Sequence, residues 1–444
     1  MRSTLCHTFA LLGLWLGAGA GTAAPAHASL AQDALSKKQL GELIEALVAV
    51  DRCAADGRRA LDALLAPIAG APLPRESDLA RLRKDIAKAR AKQAQLPAKT
   101  GEHFVDPVTG AEVEQGAGGR LFIEGKTAKP KGLLIGLHGG GVGSGDAGSS
   151  RGSYQGLLSK RGWVGLFPEV LEKTERGWTD SGTEEWLVRL VDQAVAEYGV
   201  PPDHVYMTGH SMGGYGTWVV GAHHADLFAS LAASAGAPTP VYGPSKTIID
   251  VQGGVVPSLR NTPLLVFQST DDPRVPPDAN QGAVARVEAA KERFGGYDNF
   301  VYWEVTDRQH DFPEGGPNAL IERIEGFTRD PWPKKVVWAP VLPWKHQFYW
   351  LDWEAPKLRT TVIAEVFPDE RRIAVLVEGG DGAGLAVLLA PELLPLDAKS
   401  GELTIELNGD EVFRGVPQPT FDAWLRTAIQ GDPGREYAIR VPLR

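Results

Sequence analysis

The sequence predicts an α/β protein: a mostly parallel sheet flanked by helices, a helical segment before it and a β-rich module after it. Three observations lead there. Between residues 101 and 335, short apolar runs alternate with helical stretches in the manner of βαβ units. Several of those runs are continuously apolar, as strands buried on both faces are. One of them leads through Gly209-His210-Ser211-Met212-Gly213 directly into a helical stretch.

The strands follow in order. Gly119–Ile123 comes first, then Gly132–Leu137 and Gly162–Phe167. Glu184–Tyr198 is an amphipathic helix, and it leads to a short buried strand at Val205–Met207. Pro263–Gln268 and Phe300–Val305 complete the set. The stretches 144–153 and 241–260 are rich in Gly, Ser and Pro and read as loops rimming a pocket.

The stretch at 209–213 carries the chemistry. A serine on a tight strand-to-helix turn stands proud of the sheet, so Ser211 is the candidate nucleophile. Glycines flank it because side chains there would collide with strand or helix. The N–H of Met212, first in the helix, points where an oxyanion would form. Upstream, the strand ending at Leu137 runs into His138-Gly139-Gly140-Gly141. Glycines let a substrate approach the main chain, so Gly139, Gly140 and Gly141 are the second candidate source of oxyanion donors. A phosphate-cradling loop would need a following Lys-Ser/Thr, and a dinucleotide loop an acidic ribose partner; neither follows.

Downstream, Ser269-Thr270-Asp271-Asp272-Pro273-Arg274-Val275-Pro276 offers an acid to orient a histidine, and Thr306–Phe312 offers His310. The acids at 271 and 272 compete; Asp272 is preferred on the acid-x-x-Val-Pro spacing, with Asp271 as a turn cap. The chain order Ser211, Asp272, His310 is that of a Ser-acid-His triad. The other histidines carry less. His210 is a packing or pocket residue, and His138 supports the glycine turn. His223 and His224 are adjacent on a helix and point apart, so they are not a metal pair. With no H-E-x-x-H and no Cys/His cluster, neither metal nor cofactor is expected.

Val205–Trp218, Leu137–Asp146 and Asp272–Pro276 together resemble secreted bacterial α/β-hydrolases of the prolyl-oligopeptidase-like or predicted-peptidase group. Dienelactone hydrolases and feruloyl or acetylxylan esterases are close to that group. The resemblance covers roughly residues 103 to 330. It implies an α/β-hydrolase fold and hydrolysis of a carboxylic ester, more than it implies any substrate. The chain departs from the family pattern at Gln268-Ser269, where His-Gly is usual. Two other readings stand beside the esterase: a secreted peptidase using the same triad, and a non-catalytic carbohydrate-binding protein on a hydrolase scaffold.

Composition bounds the partners. The chain has 444 residues, 43% of them hydrophobic, and a formal net charge of −9. An acidic protein is a poor partner for nucleic acid or for an anionic membrane surface. A small-molecule or polymer-linked ester, or a peptide, is the expected substrate. Residues 1–28 read as an export signal: Arg2, an apolar stretch over Phe9–Leu16 too short to span a membrane, and Ala26-His27-Ala28 before the cut. The mature protein is then expected in the periplasm or outside the cell, with Cys53 as its one cysteine and a small buried hydrophobe. The sequence leaves the oligomeric state open.

Residues 29–100 read as a helical hairpin packed on the catalytic domain. Leu40, Leu43, Ile44, Leu47 and Val48 recur at helical spacing, Leu61, Leu64 and Leu65 continue it, Pro72 and Pro74 break it, and a charged helix follows from Glu76. The catalytic domain spans 101–335. Residues 336–444 read as β-rich, with strands at Thr360–Phe367, Ile373–Glu378, Ala383–Leu389, Leu403–Leu407 and Tyr437–Val441. Asn408-Gly409 is a hairpin turn, and Phe421–Ile429 a short helix. The aromatic run Trp344–Trp353 is either a sugar-binding platform or, as its bulk favours, a core strand that docks the domains.

Overall fold

The computed structural model describes residues 35–395 and 401–444; the export signal expected over residues 1–28 lies outside them. Eight strands form the central sheet: β1 (Gly101–Val105), β2 (Gly119–Gly125), β3 (Leu133–Leu137), β4 (Val164–Pro168), β5 (Val205–His210), β6 (Ser230–Ser234), β7 (Leu264–Ser269) and β8 (Phe300–Val305). Their spatial order is β1-β2-β4-β3-β5-β6-β7-β8. Only β2 runs against the rest: it pairs antiparallel with β1 and β4, and every other pairing is parallel. Strands β3, β4 and β6 are buried at every position, as strands covered on both faces must be. The edge strand β8 exposes Val301 and Glu304 instead.

Helices cover the sheet: α4 (Ala147–Tyr154), α5 (Leu157–Arg161), α6 (Thr183–Tyr198), α7 (Met212–His223), α8 (Asp278–Phe294) and α9 (Gly316–Ile324). α6 buries Trp186, Leu187, Leu190, Val191 and Ala194, and it ends at Gly199 in the left-handed region, φ +68°. The predicted rim loop at 144–153 is mostly helix: Asp146 caps α4 by accepting from Gly148 N–H at 2.7 Å. The rim at 241–260 contains a small hairpin, Pro240–Tyr242 against Ile248–Val251.

The N-terminal segment has three helices rather than two: α1 (Lys37–Val48), α2 (Gly57–Leu65) and α3 (Glu76–Gln93). A turn at 49–56 interrupts the apolar spacing, with Cys53 N–H held by the Asp51 carboxylate at 3.1 Å. These helices share their core with the other end of the chain. Ile44, Leu47, Leu61, Leu65, Leu82 and Ile86 pack with Phe421, Trp424 and Leu425 of α10 (Phe421–Ala428). The docking on the catalytic domain expected of this segment is therefore only part of its packing.

The C-terminal module pairs two sheets. One has Lys335–Trp338, Thr361–Phe367, Arg372–Glu378, Leu403–Leu407 and Asp410–Gly415 in that order. The other has Gln347–Phe348, Leu351–Trp353, Leu385–Leu389 and Ile439–Pro442. In Thr361–Phe367, Val362, Ala364 and Val366 are buried in strict alternation, the signature of a sheet with one face in the core. Asn408 and Gly409 both take positive φ, +53° and +87°, as a type I′ turn demands.

Trp350 and Trp353 are fully buried and give their indole N–H groups to the Pro333 and Ala383 carbonyls, at 2.7 and 2.8 Å. Phe348 stacks on Trp338 at 5.6 Å. These rings are core, not a platform facing solvent. One apolar core runs from the central sheet into this module. No helix among the described residues is long and apolar enough to cross a membrane.

Candidate active site

Ser211 sits where β5 passes into α7, at φ +59° and ψ −122°. That backbone is strained for a residue with a side chain and persists only where its surroundings enforce it. They do so by close approach. A Cβ on Gly209 would lie 2.3 Å from the Gly213 carbonyl oxygen, and one on Gly213 would lie 2.2 Å from that of Leu137. Strand, turn and helix are thus pressed together with only glycines between them. Ser211 N–H donates to the Ser234 carbonyl of β6 at 2.9 Å, which locks the turn to the sheet.

His310 reaches the serine from the loop after β8. Its Nε2 lies 2.9 Å from Ser211 Oγ, and its Nδ1 lies 2.7 Å from Asp272 Oδ2. An ionised Asp272 only accepts, so Nδ1 carries the proton and Nε2 presents its lone pair to the serine hydroxyl. The Asp272 carboxyl is fully buried, and its other oxygen accepts from Arg274 and Val275 N–H at 2.8 and 2.9 Å. Both oxygens are therefore used, and the acid is fixed in place.

Asp271 does something else. It accepts from Ser269 Oγ at 2.5 Å and from Gln309 N–H at 3.0 Å, tying the acid loop to the histidine loop. The Ser269 hydroxyl, with these backbone donors, holds the Asp271 carboxyl below its usual range.

At Gln268, where the chain departs from the family pattern, a buried polar chain supports the acid loop. Trp218 Nε1–H donates to Asn280 Oδ1 at 3.2 Å, and Asn280 Nδ2–H donates to Gln268 Oε1 at 2.8 Å. Gln268 Nε2–H then donates to the Val275 carbonyl at 2.9 Å. Sequence reasoning missed this chain; Trp218 and Asn280 are 62 residues apart, and its members share no motif.

The turn after β3 is braced from behind. His138 is buried, accepts from Val170 N–H through Nε2 at 3.1 Å and donates from Nδ1 to the Gly139 carbonyl at 2.9 Å. Those partners fix one neutral tautomer, and burial lowers its pKa. Trp178 packs edge-on at 4.8 Å and donates to the His138 carbonyl.

Of the three glycines, Gly140 lines the cleft over Ser211, together with Ser144, Met212, Tyr215, Tyr242 and Arg274. That open cleft holds about 700 Å³. Met212 heads α7, so its N–H has no acceptor within the helix.

His210 packs beside the imidazole at 4.9 Å and against Phe312 at 4.5 Å. Burial, and after it the charge of His310, lowers its pKa to about 4, so it stays neutral when His310 takes a proton. His223 and His224 do not join the site; both meet the buried Glu184 carboxylate, at 2.7 and 3.2 Å. No group of three metal-binding side chains occurs among the described residues.

No protein-family model and no curated protein matches the chain. Among solved structures it is similar to a thermostable esterase, at 20% identity and TM-score 0.36, over 51% of this chain and 62% of that one. It is also similar to a ferulic acid esterase of the anaerobic fungus Anaeromyces mucronatus, at 15% identity and TM-score 0.37, over 52% and 90%. A prolyl endopeptidase matches at 17% identity and TM-score 0.35, over 51% of this chain and 37% of that one. Strand β5 passes through the strained serine turn into α7, the glycine turn follows β3, and both turns lie at the same end of β3 and β5, which are neighbours in the mostly parallel sheet. Together they give the chain the α/β-hydrolase fold.

Proposed function

We propose that this protein is a serine hydrolase that cleaves carboxylic esters through an acyl-enzyme. The observation that carries the reading is the unbroken relay Asp272–His310–Ser211, at 2.7 and 2.9 Å.

The steps follow from it. Ser211 Oγ attacks the carbonyl carbon while His310 Nε2 takes the hydroxyl proton. Asp272 holds the imidazole and stabilises its charged form. The carbonyl oxygen becomes an oxyanion, stabilised by backbone N–H groups of Met212 and of the Gly139–Gly141 turn, with Gly140 nearest the cleft. The tetrahedral intermediate expels the alcohol, which receives the proton from His310. Water attacks the acyl-enzyme by the same route in reverse, releasing the acid and restoring Ser211. No step calls on a cofactor.

Export is part of the proposal: Arg2, the apolar stretch and Ala26-His27-Ala28 support a mature protein in the periplasm or outside the cell.

The test is hydrolysis of p-nitrophenyl acetate, a feruloyl ester and a proline p-nitroanilide by protein beginning at Ser29, beside Ser211→Ala. Ester turnover lost in the variant is the expected result. Dominant Ser211-dependent anilide turnover would make the protein a peptidase. Turnover equal in both proteins would refute the serine mechanism.

A further inference from the structure

A second cavity lies away from Ser211, where α1–α3, α6 and the C-terminal module meet. It is more enclosed than the cleft and holds about 320 Å³, within the range of small-molecule sites. Part of its wall is apolar, including Val48, Val50, Leu61, Leu227 and Leu388. The rest is dominated by cations.

Those cations share too few carboxylates. Arg52 and Arg90 both use Asp192 Oδ1, each at 3.1 Å. Arg58 and Arg426 both use Asp62, at 2.9 and 2.5 Å. Lys345 and Arg435 both use Asp226, at 2.7 and 3.0 Å. Of the cations that line the cavity, only Arg189 has a carboxylate to itself among the described residues, Asp51, at 2.7 Å. Asp352, which also takes Arg58, is shared with Arg440.

Seven cationic side chains thus line the cavity against three carboxylates on its wall and two, Asp62 and Asp226, behind it. Two positive charges are left over. Arg435 is 94% buried, 6% of its surface remaining exposed, and its Nε has no acceptor among the described residues; nor has Arg426 Nε. Burial lowers the Lys345 pKa; Asp226 raises it and Arg435 lowers it again. Uncompensated buried charge is costly, and guanidinium groups present paired donors that suit carboxylates.

We infer that this cavity binds a small organic dianion, an apolar body carrying two carboxylates, held by Arg52 and Arg435. The site is distinct from the ester-hydrolysing cleft and does not depend on that reading. Its ligand bridges the N-terminal helices, α6 and the C-terminal module, so occupancy couples three segments that are far apart in sequence.

Titration calorimetry on the full chain at low salt tests it, with terephthalate, its neutral diamide and inorganic phosphate as probes. Terephthalate is expected to bind saturably with one site per chain. The diamide, lacking charge, and phosphate, lacking an apolar body, should each bind at least about tenfold more weakly.

Arg52→Gln should weaken terephthalate binding by about tenfold or more. The Arg52 side chain is 35% exposed and its partner Asp192 keeps Arg90, so the fold should survive the change. Val50→Phe, which fills the cavity without touching a charge, should abolish binding.

Three results would overturn the inference: no saturable binding at ~10 mM terephthalate, equal binding of the diamide or phosphate, or binding unchanged in Arg52→Gln. The arginines would then be a structural clamp between segments and nothing more.

Discussion

Asp271 accepts the backbone N–H of Gln309 at 3.0 Å, one residue before the imidazole that Asp272 holds at 2.7 Å. Two adjacent acids thus hold one histidine at two levels. The first fixes the loop that carries His310, and the second fixes the ring itself. This division separates their mutants. Asp272→Asn keeps the shape but favours the wrong tautomer, and kcat should fall by about 10⁴-fold. Asp271→Asn keeps the relay and should stay within about tenfold of the parent rate while lowering Tm. Steady-state kinetics and thermal melts of the two variants check this.

The polar chain from Trp218 through Asn280 to Gln268 predicts a stability effect. Gln268→Leu strands Asn280 Nδ2 and the Val275 carbonyl in the interior. An unsatisfied buried group costs about 1–3 kcal/mol. Denaturant unfolding should show that loss, and the relaxed acid loop should lower kcat more than it raises KM.

His210 predicts a pH dependence. Its folded pKa, about 4, lies below the ordinary histidine value. Between those values the unfolded chain binds more protons than the folded one. Stability is therefore full above about pH 6.5 and is lost as pH falls toward 4, by up to about 1.4 kcal/mol per pH unit from this group. His210→Phe keeps a ring beside Phe312 and removes the titration. The fall in Tm between pH 7 and pH 5 should be shallower in that variant.

The buried tryptophans of the C-terminal module predict a core effect. Trp350→Ala should destabilise by about 3–5 kcal/mol, through lost burial and the cavity left behind. The Pro333 carbonyl would lose its donor as well. Calorimetric melts measure this; a Tm equal to the parent's would mean that the ring is not part of the core.

The serine turn was legible in sequence because close backbone approaches there leave room only for glycine. Gly209 faces a backbone contact within the turn itself and Gly213 one with the Leu137 carbonyl of β3, and continuous apolar runs such as Leu133–Leu137 announce buried strands. Strand β6 was missed because Ser230-Leu231-Ala232-Ala233-Ser234 has small side chains and no β-branched residue. Strand β1 and Asp410–Gly415 were missed because edge strands carry polar residues. Leu61, Leu64 and Leu65 extended the apolar spacing across the 49–56 turn, so three helices read as a hairpin. The packing of Leu47 and Leu82 on Trp424 joins opposite ends of the chain, and no local pattern reports it.

The most direct test of the account is intact-mass analysis after treatment with a fluorophosphonate, which traps an activated serine. A serine activated by His310 gives one adduct per chain, mapped to Ser211, absent in Ser211→Ala and formed far more slowly in His310→Ala. No adduct, or one that survives Ser211→Ala unchanged, would contradict it.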